Sequence, residues 1–444
     1  MSKIKERNIV LVIALLSYFL TALCASVVIT GLTKIAADLN LNQIQLSWVQ
    51  NAYGLTFGSF ILLSGRLSDA FGRKRILNLA LIIFGVSSIF TGVTSSAAIM
   101  IIARALQGIG AAILAPTSMA LLMDYFEGPE LVKALAWYSS ISGLGSSIGL
   151  VLGGVLASYV SWRVGFYINV PVAAMMLWLS FKVLKTTPVT HQRFDIMGTV
   201  FSILGSAALV YAVNGAKNIW LFLIIALVVF ALLLRTESKS QFPIMPLQIF
   251  HSKTRVYAYI VRALLVGSMM GFWFYISEFL QEYYHYTPLM AGIGFLPMTV
   301  TLFLTAVAVP RIVEKWGNRY TLSVAALVML VGFIWIVLWR NGGYWFSVAI
   351  PMLFFGVGQG LGLTPDTNLG IAHVSVENTG VASGLVNTAH QLGSVLGVAV
   401  MISIASATVH AGDMFNEFHM AMIVGLVLTV VYTVITFLVP KDES

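Results

Sequence analysis

The sequence predicts an all-α membrane protein with fourteen transmembrane helices. Among its 444 residues 59% are hydrophobic and 9% are charged, whereas about a quarter of the residues of a water-soluble domain carry a charge. Apolar runs such as 9–20, 221–234 and 421–439 match or approach the roughly 20 residues that cross a hydrocarbon core as a helix. Lysine and arginine also concentrate in alternate loops, which is typical of a chain that threads a bilayer repeatedly.

The predicted spans are apolar windows bounded by charged residues or by Gly, Pro and Asn clusters. They cover residues 8–30, 46–65, 76–95, 98–123, 133–159, 164–185, 196–214, 219–235, 255–279, 289–309, 321–339, 345–369, 380–408 and 416–439. Residues 1–20 also resemble a signal peptide, but the apolar segment continues to about residue 30 without a small-x-small cleavage site. We therefore expect this segment to be the first span.

Basic residues test the number of spans independently. With the N-terminus in the cytoplasm, the loop lysines and arginines fall on the cytoplasmic side, except Lys34, Arg163, Lys217 and Arg340. Omitting one helix would invert every later loop and remove this asymmetry. An even number of spans with both termini in the cytoplasm is therefore expected.

The two halves of the chain contain similar short motifs in the same order. The matched pairs are Asp69 to Gly72 with Glu314 to Gly317, Gly108 and Gly110 with Gly356 and Gly358, and Leu144 to Ser146 with Leu392 to Ser394. Such internal repeats are common in membrane proteins built from two bundles. They predict an N-terminal six-helix bundle over 1–190, two inserted helices with a linker over 191–250, and a C-terminal six-helix bundle over 251–444.

Composition excludes several other classes of protein. The net charge of +8 does not indicate nucleic-acid binding, because the basic residues are scattered through short loops and do not form one face with stacking aromatics. Cys24 is the sole cysteine, which excludes an internal disulfide and a cysteine-based zinc site, and we expect no metal site. The phosphate-binding motif Gly-x-x-x-x-Gly-Lys-Ser/Thr does not occur, so no nucleotide cofactor is expected.

A glycine-rich, charged motif, Gly65–Lys74, joins the second and third predicted spans. Glycine allows the tight turn, and Asp69 can meet a basic residue or a helix N-terminus. The motif resembles the hallmark loop of the major facilitator superfamily, with Ala70 where the family has arginine. Positive-inside topology alone would explain the basic residues but not the spacing of Gly and Asp. The resemblance implies a conformational latch formed by Gly65, Asp69, Gly72, Arg73, Lys74 and, in the second half, Glu314.

Arg104 lies inside the fourth predicted span and is followed by Gln107, Gly108 and Gly110. A charge at such a position costs about 3 kcal/mol or more, so it usually has a partner or a function. The motif resembles the fourth-helix motif of the same superfamily, which implies that Arg104 takes part in proton exchange. The alternative is that its side chain extends to the membrane surface from near the start of the helix.

Glycines recur at four-residue spacing in the fifth predicted span and create a face on which another helix can approach closely. They are Gly145, Gly149, Gly153 and Gly154. With Trp162 and Asn169 they resemble the fifth-helix signature of drug antiporters, although Leu150 stands where that signature has proline. Residues 145–149 also fit the Gly-x-Ser-x-Gly motif of hydrolases, but that motif needs a preceding strand and here lies within a helix.

Further motifs extend the resemblance over nearly the whole chain, and with the fourteen spans they are similar to the fourteen-helix drug:proton antiporter family. They lie at residues 48–53, 279–292, 380–384 and 391–393. The resemblance implies a monomeric protein of the bacterial plasma membrane that exports amphipathic, often cationic drugs, dyes or fluoroquinolone-like compounds in exchange for protons. One departure is conspicuous, because Cys24 and Thr33 stand where the family has an aspartate and a proline.

A proton-driven exporter of cations needs an acidic group that either a proton or the cation can neutralise. The first candidate is Glu278, which lies one turn from Glu282 near the end of the ninth span, and the second is Asp366 in the twelfth. Arg262 is a possible counter-charge. The alternatives are an interfacial carboxylate for Glu278, an inner-interface anchor for Arg262, and helix end caps for Asp366 and Asp124.

Aromatic side chains can line a cavity for a flat cation, because a desolvated cation and a ring attract by about 2 kcal/mol. The candidates are Tyr18, Tyr53, Trp137, Tyr138, Trp273, Phe274 and Tyr275. Membrane proteins also carry aromatics that face lipid or form interfacial belts, so we expect only about a third of these to face a cavity.

Other functions stay open at this point. The same fold moves lipids, siderophores and other metabolites, and fold alone does not choose among them. A non-transporting receptor would need a long soluble loop or domain for its partner, whereas every predicted loop is short. A membrane enzyme would need a catalytic constellation, which the sequence does not contain.

Overall fold

The computed structural model describes residues 3–185, 196–213, 218–240, 243, 245–340, 342–374, 379–410 and 412–440. These residues are almost entirely helical, and no β-strand occurs among them. The helices are α1 (Lys3–Leu39), α2 (Gln43–Phe71), α3 (Arg73–Val93), α4 (Ala97–Tyr125), α5 (Gly128–Tyr159), α6 (Trp162–Tyr167), α7 (Asn169–Val183), α8 (Ile196–Val213), α9 (Ile219–Lys239), α10 (Lys253–Glu282), α11 (Pro288–Gly294), α12 (Leu296–Leu338), α13 (Ile350–Gly370), α14 (Thr379–Thr408) and α15 (Met414–Leu438).

The helices coincide with the predicted spans, which confirms the all-α membrane class. The spans predicted at 289–309 and 321–339 fall in α11 and α12, and α12 is broken at Gly317, where φ is 76°. Among the described residues, eleven helical stretches are long and apolar enough to cross a bilayer. One of them, Pro288–Leu338, is 51 residues long and continues across this break, so it contains two of the predicted spans.

Local sequence explains where several helices begin and end. At the start of α2 the Asn42 side chain accepts from the Gln45 backbone N–H (2.8 Å), and the Gln45 side chain accepts from the Asn42 N–H (3.1 Å). This reciprocal cap satisfies backbone donors that have no partner within the helix. Between α2 and α3 the chain turns at Gly72, whose φ of 90° favours glycine.

The first of two compact units comprises residues 1–199 and 287–289. Within it α1 packs along α5, and α4 packs against α2 and α3. Large apolar side chains such as Leu77, Phe84 and Leu114 are fully buried between these helices. The polar residues described below lie within this apolar core.

The second unit comprises residues 200–286 and 290–444. Within it α12 packs against α13, and α10 packs against α14 and α15. The inserted helices α8 and α9 contact each other through Tyr211 and Phe222, whose ring centroids are 4.5 Å apart. Helix α9 exposes Trp220 (79%) and Leu227 (71%), as a lipid-facing helix does. The domain boundaries at residues 190 and 250 stay predictions.

The sequence repeat corresponds to the same kind of helix crossing in each unit. A Cβ atom on Gly108 would overlap the carbonyl oxygen of Tyr53, and one on Gly356 would overlap that of Met298. Each crossing brings two backbones too close for any residue but glycine. The paired glycines are therefore packing residues of two similar substructures.

Candidate functional site

Arg104 lies on α4 in the core of the first unit and is 1% exposed. Its Nε donates to the carbonyl oxygen of Val49 (3.0 Å), and its Nη1 donates to Oε1 of Gln107 (2.7 Å). The ring centroid of Tyr53 lies 4.5 Å from the guanidinium carbon, within range of a cation–π interaction. The guanidinium is thus held by dipoles and by an aromatic face.

Cys24 on α1 lies against this guanidinium. Its Sγ accepts a hydrogen bond from Nη1 of Arg104 at 3.3 Å, and the side chain is buried. Among the described side chains, no carboxylate lies within 4.0 Å of Arg104. The residue that departs from the family pattern in α1 is therefore the one that meets the buried arginine.

Polar side chains continue this network into α3 and α7. Gln107 donates from Nε2 to Oγ of Ser88 (2.7 Å), and Asn169 donates from Nδ2 to the same hydroxyl (3.4 Å). All three are buried. Within the described part of the chain, Oδ1 of Asn169 has no hydrogen-bond donor, which is unusual for a buried polar atom.

The predicted aromatics of the first unit separate into two groups. Tyr18 and Tyr138 stack with ring centroids 4.4 Å apart, and the Tyr138 hydroxyl donates to the carbonyl of Ala115 (2.7 Å). Tyr53 also lies in the core, where it covers Arg104. Trp137 is 61% exposed. Tyr53 and Tyr138 are therefore buried and Tyr18 is partly buried, whereas Trp137 lies on the surface of the unit.

The glycines of α5 lie along α1. Cβ atoms on Gly145 and Gly149 would each lie 3.0 Å from a carbonyl oxygen of α1, and one on Gly153 would lie 2.7 Å from another. These carbonyls belong to Phe19, Leu23 and Val27. Gly154 lies on a neighbouring face, where a Cβ would be 2.6 Å from the carbonyl oxygen of Pro288 in the same unit.

In the second unit, Asp366 on α13 is completely buried. Its Oδ2 lies 3.4 Å from Nη1 of Arg262 on α10. Arg262 also donates to the carbonyl of Leu363 (3.0 Å) and to the hydroxyl of Thr367 (2.9 Å). Neither carboxylate oxygen of Asp366 accepts a hydrogen bond from a described residue. The ion pair is thus buried and incompletely satisfied.

Other polar groups surround this pair. Tyr432 on α15 is fully buried and interacts electrostatically with both Asp366 and Arg262, and its hydroxyl has no hydrogen-bond partner in the described residues. His390 on α14 is partly buried and interacts with Arg262. Buried polar groups without partners are rare in folded proteins, so they mark a place where a ligand, a proton or water can act.

Glu278 belongs to a second group of acids. It is 1% exposed on α10, and Tyr275, almost one turn earlier, donates its hydroxyl to Oε1 of Glu417 on α15 (3.1 Å). Glu417 is also buried, whereas Glu282, the last residue of α10, is exposed and close enough to Glu417 to repel it. Several carboxyl groups therefore lie near the C-terminal end of α10.

Trp273 and Phe274 lie in the core of the second unit at 5% and 0% exposure. The ring of Trp273 is 5.7 Å from that of Phe295, and Phe274 is 5.6 Å from Tyr275. The indole N–H of Trp273 has no acceptor among the described residues. Because a buried indole N–H normally has an acceptor, Trp273 is a candidate to contact a ligand.

The predicted latch residues are only partly described. Arg73 forms an ion pair with Asp124 at the end of α4 (2.8 Å), and Lys74 donates to the carbonyl of Leu184 (2.6 Å). Glu314 is exposed on α12. Gly72 turns the chain between α2 and α3, Gly65 lies within α2, and the side chain of Asp69 lies outside the described part of the structure. The predicted latch stays a prediction.

Comparison with known families identifies the class of this protein. The family description Major Facilitator Superfamily matches residues 14–398. The chain belongs to the Major Facilitator Superfamily. It is accordingly a multi-pass membrane transporter.

Curated superfamily relatives include proteins of antibiotic resistance and export. The puromycin resistance protein pur8 of Streptomyces alboniger is 30% identical, over 90% of this chain and 82% of its own. The cephamycin export protein CmcT of Amycolatopsis lactamdurans is 30% identical, over 96% and 93% respectively. The methylenomycin A resistance protein of Bacillus subtilis is 27% identical, over 91% and 90%.

Solved transporter structures show the same fold at low sequence identity. A single-residue mutant of the nucleoside transporter NupG has a TM-score of 0.70 at 14% identity and covers 98% of this chain and 100% of its own. A bacterial homolog of the human lysosomal transporter Spinster, in an inward-facing and unoccupied conformation, has a TM-score of 0.71 at 15% identity and covers 98% and 97%. These likenesses concern the fold alone.

Sequence reasoning did not place Tyr432, His390 or Glu417 beside the buried polar groups of the second unit. Glu417 had a usable signal, because it is an acid in the first turn of an otherwise apolar span. Tyr432 and His390 had none. Their proximity to Arg262 depends on how α14 and α15 pack against α10, which no local motif encodes.

Proposed function

We propose that the chain exports amphipathic, often cationic compounds such as drugs, dyes or fluoroquinolone-like molecules across the bacterial plasma membrane in exchange for protons. It would act as a monomer by alternating access, with both termini in the cytoplasm and with the proton gradient in place of a cofactor. The names of its relatives, which concern puromycin, cephamycin and methylenomycin A, support export of antibiotics. The fold likeness to transporters supports alternating access.

The buried pair of Asp366 and Arg262 carries the proposal of proton coupling. A carboxylate buried this deeply costs several kcal/mol unless charges and hydrogen bonds compensate it, yet the Asp366 oxygens accept no hydrogen bond from described residues and the nearest cation nitrogen is 3.4 Å away. A proton on Asp366 removes this cost. Proton binding and the local packing of α10, α13 and α15 are therefore coupled.

Glu278 is the second group proposed to couple substrate and proton. It is buried on the same helix as Trp273 and Tyr275. An acid beside aromatic rings can bind an organic cation through both charge and cation–π attraction, and it can release the cation when a proton replaces it. This arrangement favours cationic substrates.

Inverted membrane vesicles test the proposal directly. Addition of ethidium, an acridine or a fluoroquinolone to vesicles with an imposed pH gradient should release protons, measured with a pH-sensitive dye. Asp366→Asn and Glu278→Gln each remove an ionisable group with little change of shape. We expect at least one of them to reduce substrate-induced proton release about tenfold or more, the range in which a single proton-transfer group contributes.

A matched control is Asp413→Asn. Asp413 is an acid of the same unit that caps the N-terminus of α15 and binds the backbone of Asn416, and asparagine is an equally good cap. The control should retain full coupling. Undiminished proton release in both Asp366→Asn and Glu278→Gln would reject the assignment of these residues, and no substrate-induced release in the unaltered protein would reject antiport.

A different substrate class is the alternative. The riboflavin transporter RibZ of Clostridioides difficile is 25% identical, over 95% of this chain and 93% of its own, so relatives of similar length do not all bear names of drug resistance. The same vesicles should therefore receive cationic, zwitterionic, anionic and lipid substrates with and without a pH gradient. Exclusive transport of a metabolite or lipid would favour this alternative. Binding of a compound without its transport would favour a receptor.

A further inference from the structure

Two neighbouring helices of the first unit, α3 and α7, each expose an apolar face, as lipid-facing helices do. On α3 the exposed side chains recur at helical spacing, at Arg75, Leu79, Ile82, Val86 and Val93. On α7 the exposed side chains include Met175, Trp178, Phe181 and Lys182. Each apolar face therefore ends in an exposed basic residue, Arg75 at the start of α3 and Lys182 at the end of α7.

Hydrogen bonds hold these two helix ends side by side. Lys74 of α3 donates from Nζ to the carbonyl oxygens of Leu184 (2.6 Å) and Phe181 (3.3 Å) at the end of α7. About one turn further along α3, the Ser180 hydroxyl donates to Oδ1 of Asn78 (2.6 Å). These contacts link the residue before Arg75 to the residue before Lys182, so both cations lie at the same end of the unit.

Neither cation has an acidic partner in the described part of the chain. No described carboxylate lies within 4.0 Å of Arg75 or Lys182. The ammonium of Lys182 lies 3.9 Å from the ring centroid of Trp178, which holds it over the apolar face of α7 by a cation–π contact. Both charges are therefore available to an external anion.

The surroundings of the two cations do not offset their charge. Glu6 and Asp124 each pair with another base, with Lys185 (3.1 Å) and Arg73 (2.8 Å) respectively. The N-terminus of α3 adds a partial positive charge, and the carbonyls at the opposite pole, the end of α7, are occupied by Lys74. The net charge at this end of the two helices is positive.

Cations at the end of lipid-facing apolar helices match an amphiphile with a negative headgroup. Basic side chains close to the membrane surface attract anionic lipids, and a guanidinium can donate two parallel hydrogen bonds to one phosphate. A zwitterionic lipid carries its own ammonium group, which offsets this attraction. Charge complementarity therefore favours an anionic lipid over a neutral one.

We propose that α3 and α7 bind an anionic glycerophospholipid of the phosphatidylglycerol type. Its phosphate lies between Arg75 and Lys182, and its acyl chains lie along the exposed apolar faces of the two helices. This site is distinct from the buried polar networks and does not depend on proton-coupled export. Antiport measured in vesicles does not enter the test below, so either proposal can fail while the other stands.

Fluorescence of Trp178 reports on this site. The purified full chain is placed in phosphatidylcholine nanodiscs with increasing fractions of phosphatidylglycerol brominated on its acyl chains, because bromine quenches a tryptophan that it contacts. The chain has 10 Trp residues, so the Trp178 signal is the difference between the unaltered protein and Trp178→Phe. Half-maximal quenching should need about tenfold less brominated phosphatidylglycerol than brominated phosphatidylcholine, since each cation near an anionic headgroup strengthens binding about fivefold.

Charge variants test which residues cause this preference. Arg75→Gln combined with Lys182→Gln should reduce it to about twofold or less, and Arg75→Gln alone should reduce it about fivefold. Arg75→Lys combined with Lys182→Arg keeps both charges and should keep the preference. The matched control is Arg235→Gln with Lys239→Gln, which removes two exposed bases from the end of α9, another apolar helix. That control should also keep the preference.

Three results would overturn the proposal. The first is equal quenching by the two brominated lipids in the unaltered protein. The second is a preference that Arg75→Gln leaves unchanged, or that the α9 control loses to the same extent, since the latter would show an effect of overall surface charge. The third is displacement of the lipid by millimolar inorganic phosphate at constant ionic strength, which would indicate a site for a soluble anion.

Discussion

Buried arginines in this protein are balanced in different ways. Arg104 has dipoles, a thiol and an aromatic face, and Arg262 has the carboxylate of Asp366. Arg255 has carbonyl oxygens at the end of α13, those of Ala372 (2.9 Å) and His373 (3.1 Å). Helix C-termini present unpaired carbonyls and a partial negative charge, so Arg255 has the arrangement expected of a structural residue. Each of the first two contacts an ionisable side chain, Cys24 and Asp366 respectively.

Removing Arg262 and removing Asp366 should change the free energy of unfolding by unequal amounts. Arg262→Gln leaves a buried carboxylate without its cation, so we expect it to lower the free energy of unfolding by about 3–5 kcal/mol if Asp366 stays ionised. Asp366→Asn in addition should recover much of this loss, because it removes the isolated charge. The measurement is thermal unfolding in detergent for both single variants and the double variant.

Additivity of these variants would contradict the pairing. Two side chains that act as a unit show an interaction energy in a double-mutant cycle, whereas independent sites add within about 0.5 kcal/mol. Arg255→Gln combined with Asp366→Asn is the matched comparison, because Arg255 contacts carbonyls of the same helix end and not the acid. That pair should be additive.

At the scale of helices, small residues decide how closely α10 and α14 approach. Cβ atoms on Gly393 and Gly397 would overlap the backbones of Ala263 and Gly267. A side chain cannot move aside there, since the obstacle is the main chain of the neighbouring helix. Such crossings hold bundles together in lipid, where no hydrophobic force drives one apolar helix against another.

Gly397→Ala should therefore destabilise the second unit. The added methyl group must push α14 from α10, and overpacking of this kind costs about 1–3 kcal/mol. Gly380→Ala on the same helix is the control, because nothing lies within 4 Å of a Cβ there. The midpoint of thermal unfolding should fall for the first variant and stay equal or rise slightly for the second. Equal midpoints in both variants would show that the crossing can expand.

Helix existence could be predicted from the sequence, while the site could be predicted only in fragments. Long apolar runs predict the spans because only such runs can cross a bilayer as helices. The helical stretch Pro288–Leu338 contains two predicted spans, and the charged residues around Gly317 mark the boundary between them. Asp366 and Arg262 were both found as charges inside apolar helices. The contact of Cys24 with Arg104 joins residues 80 positions apart, and nothing local in either helix encodes it.

At the scale of the whole molecule, the two units contain different chemistry in similar frameworks. Each uses a glycine crossing at the matched positions Gly108 and Gly356. The first unit has a buried cation without a described acid, and the second has buried acids, among them Asp366, Glu278 and Glu417. The second unit therefore pairs a buried acid with a buried arginine, whereas the described part of the first unit leaves its buried arginine among neutral groups.

The arrangement of fourteen spans makes a definite prediction about which loops share a side of the membrane. In a Cys24→Ser background, new cysteines at Ser95 and His410 should react with a membrane-impermeant maleimide from outside intact cells, whereas one at Glu127 should react only in inverted vesicles. All three positions are exposed between helices, so reactivity reports the side of the membrane and not burial. Each added or missing span inverts every later loop. The prediction places an even number of spans between residues 95 and 410, and labelling of the two new cysteines from opposite sides of the membrane would refute it.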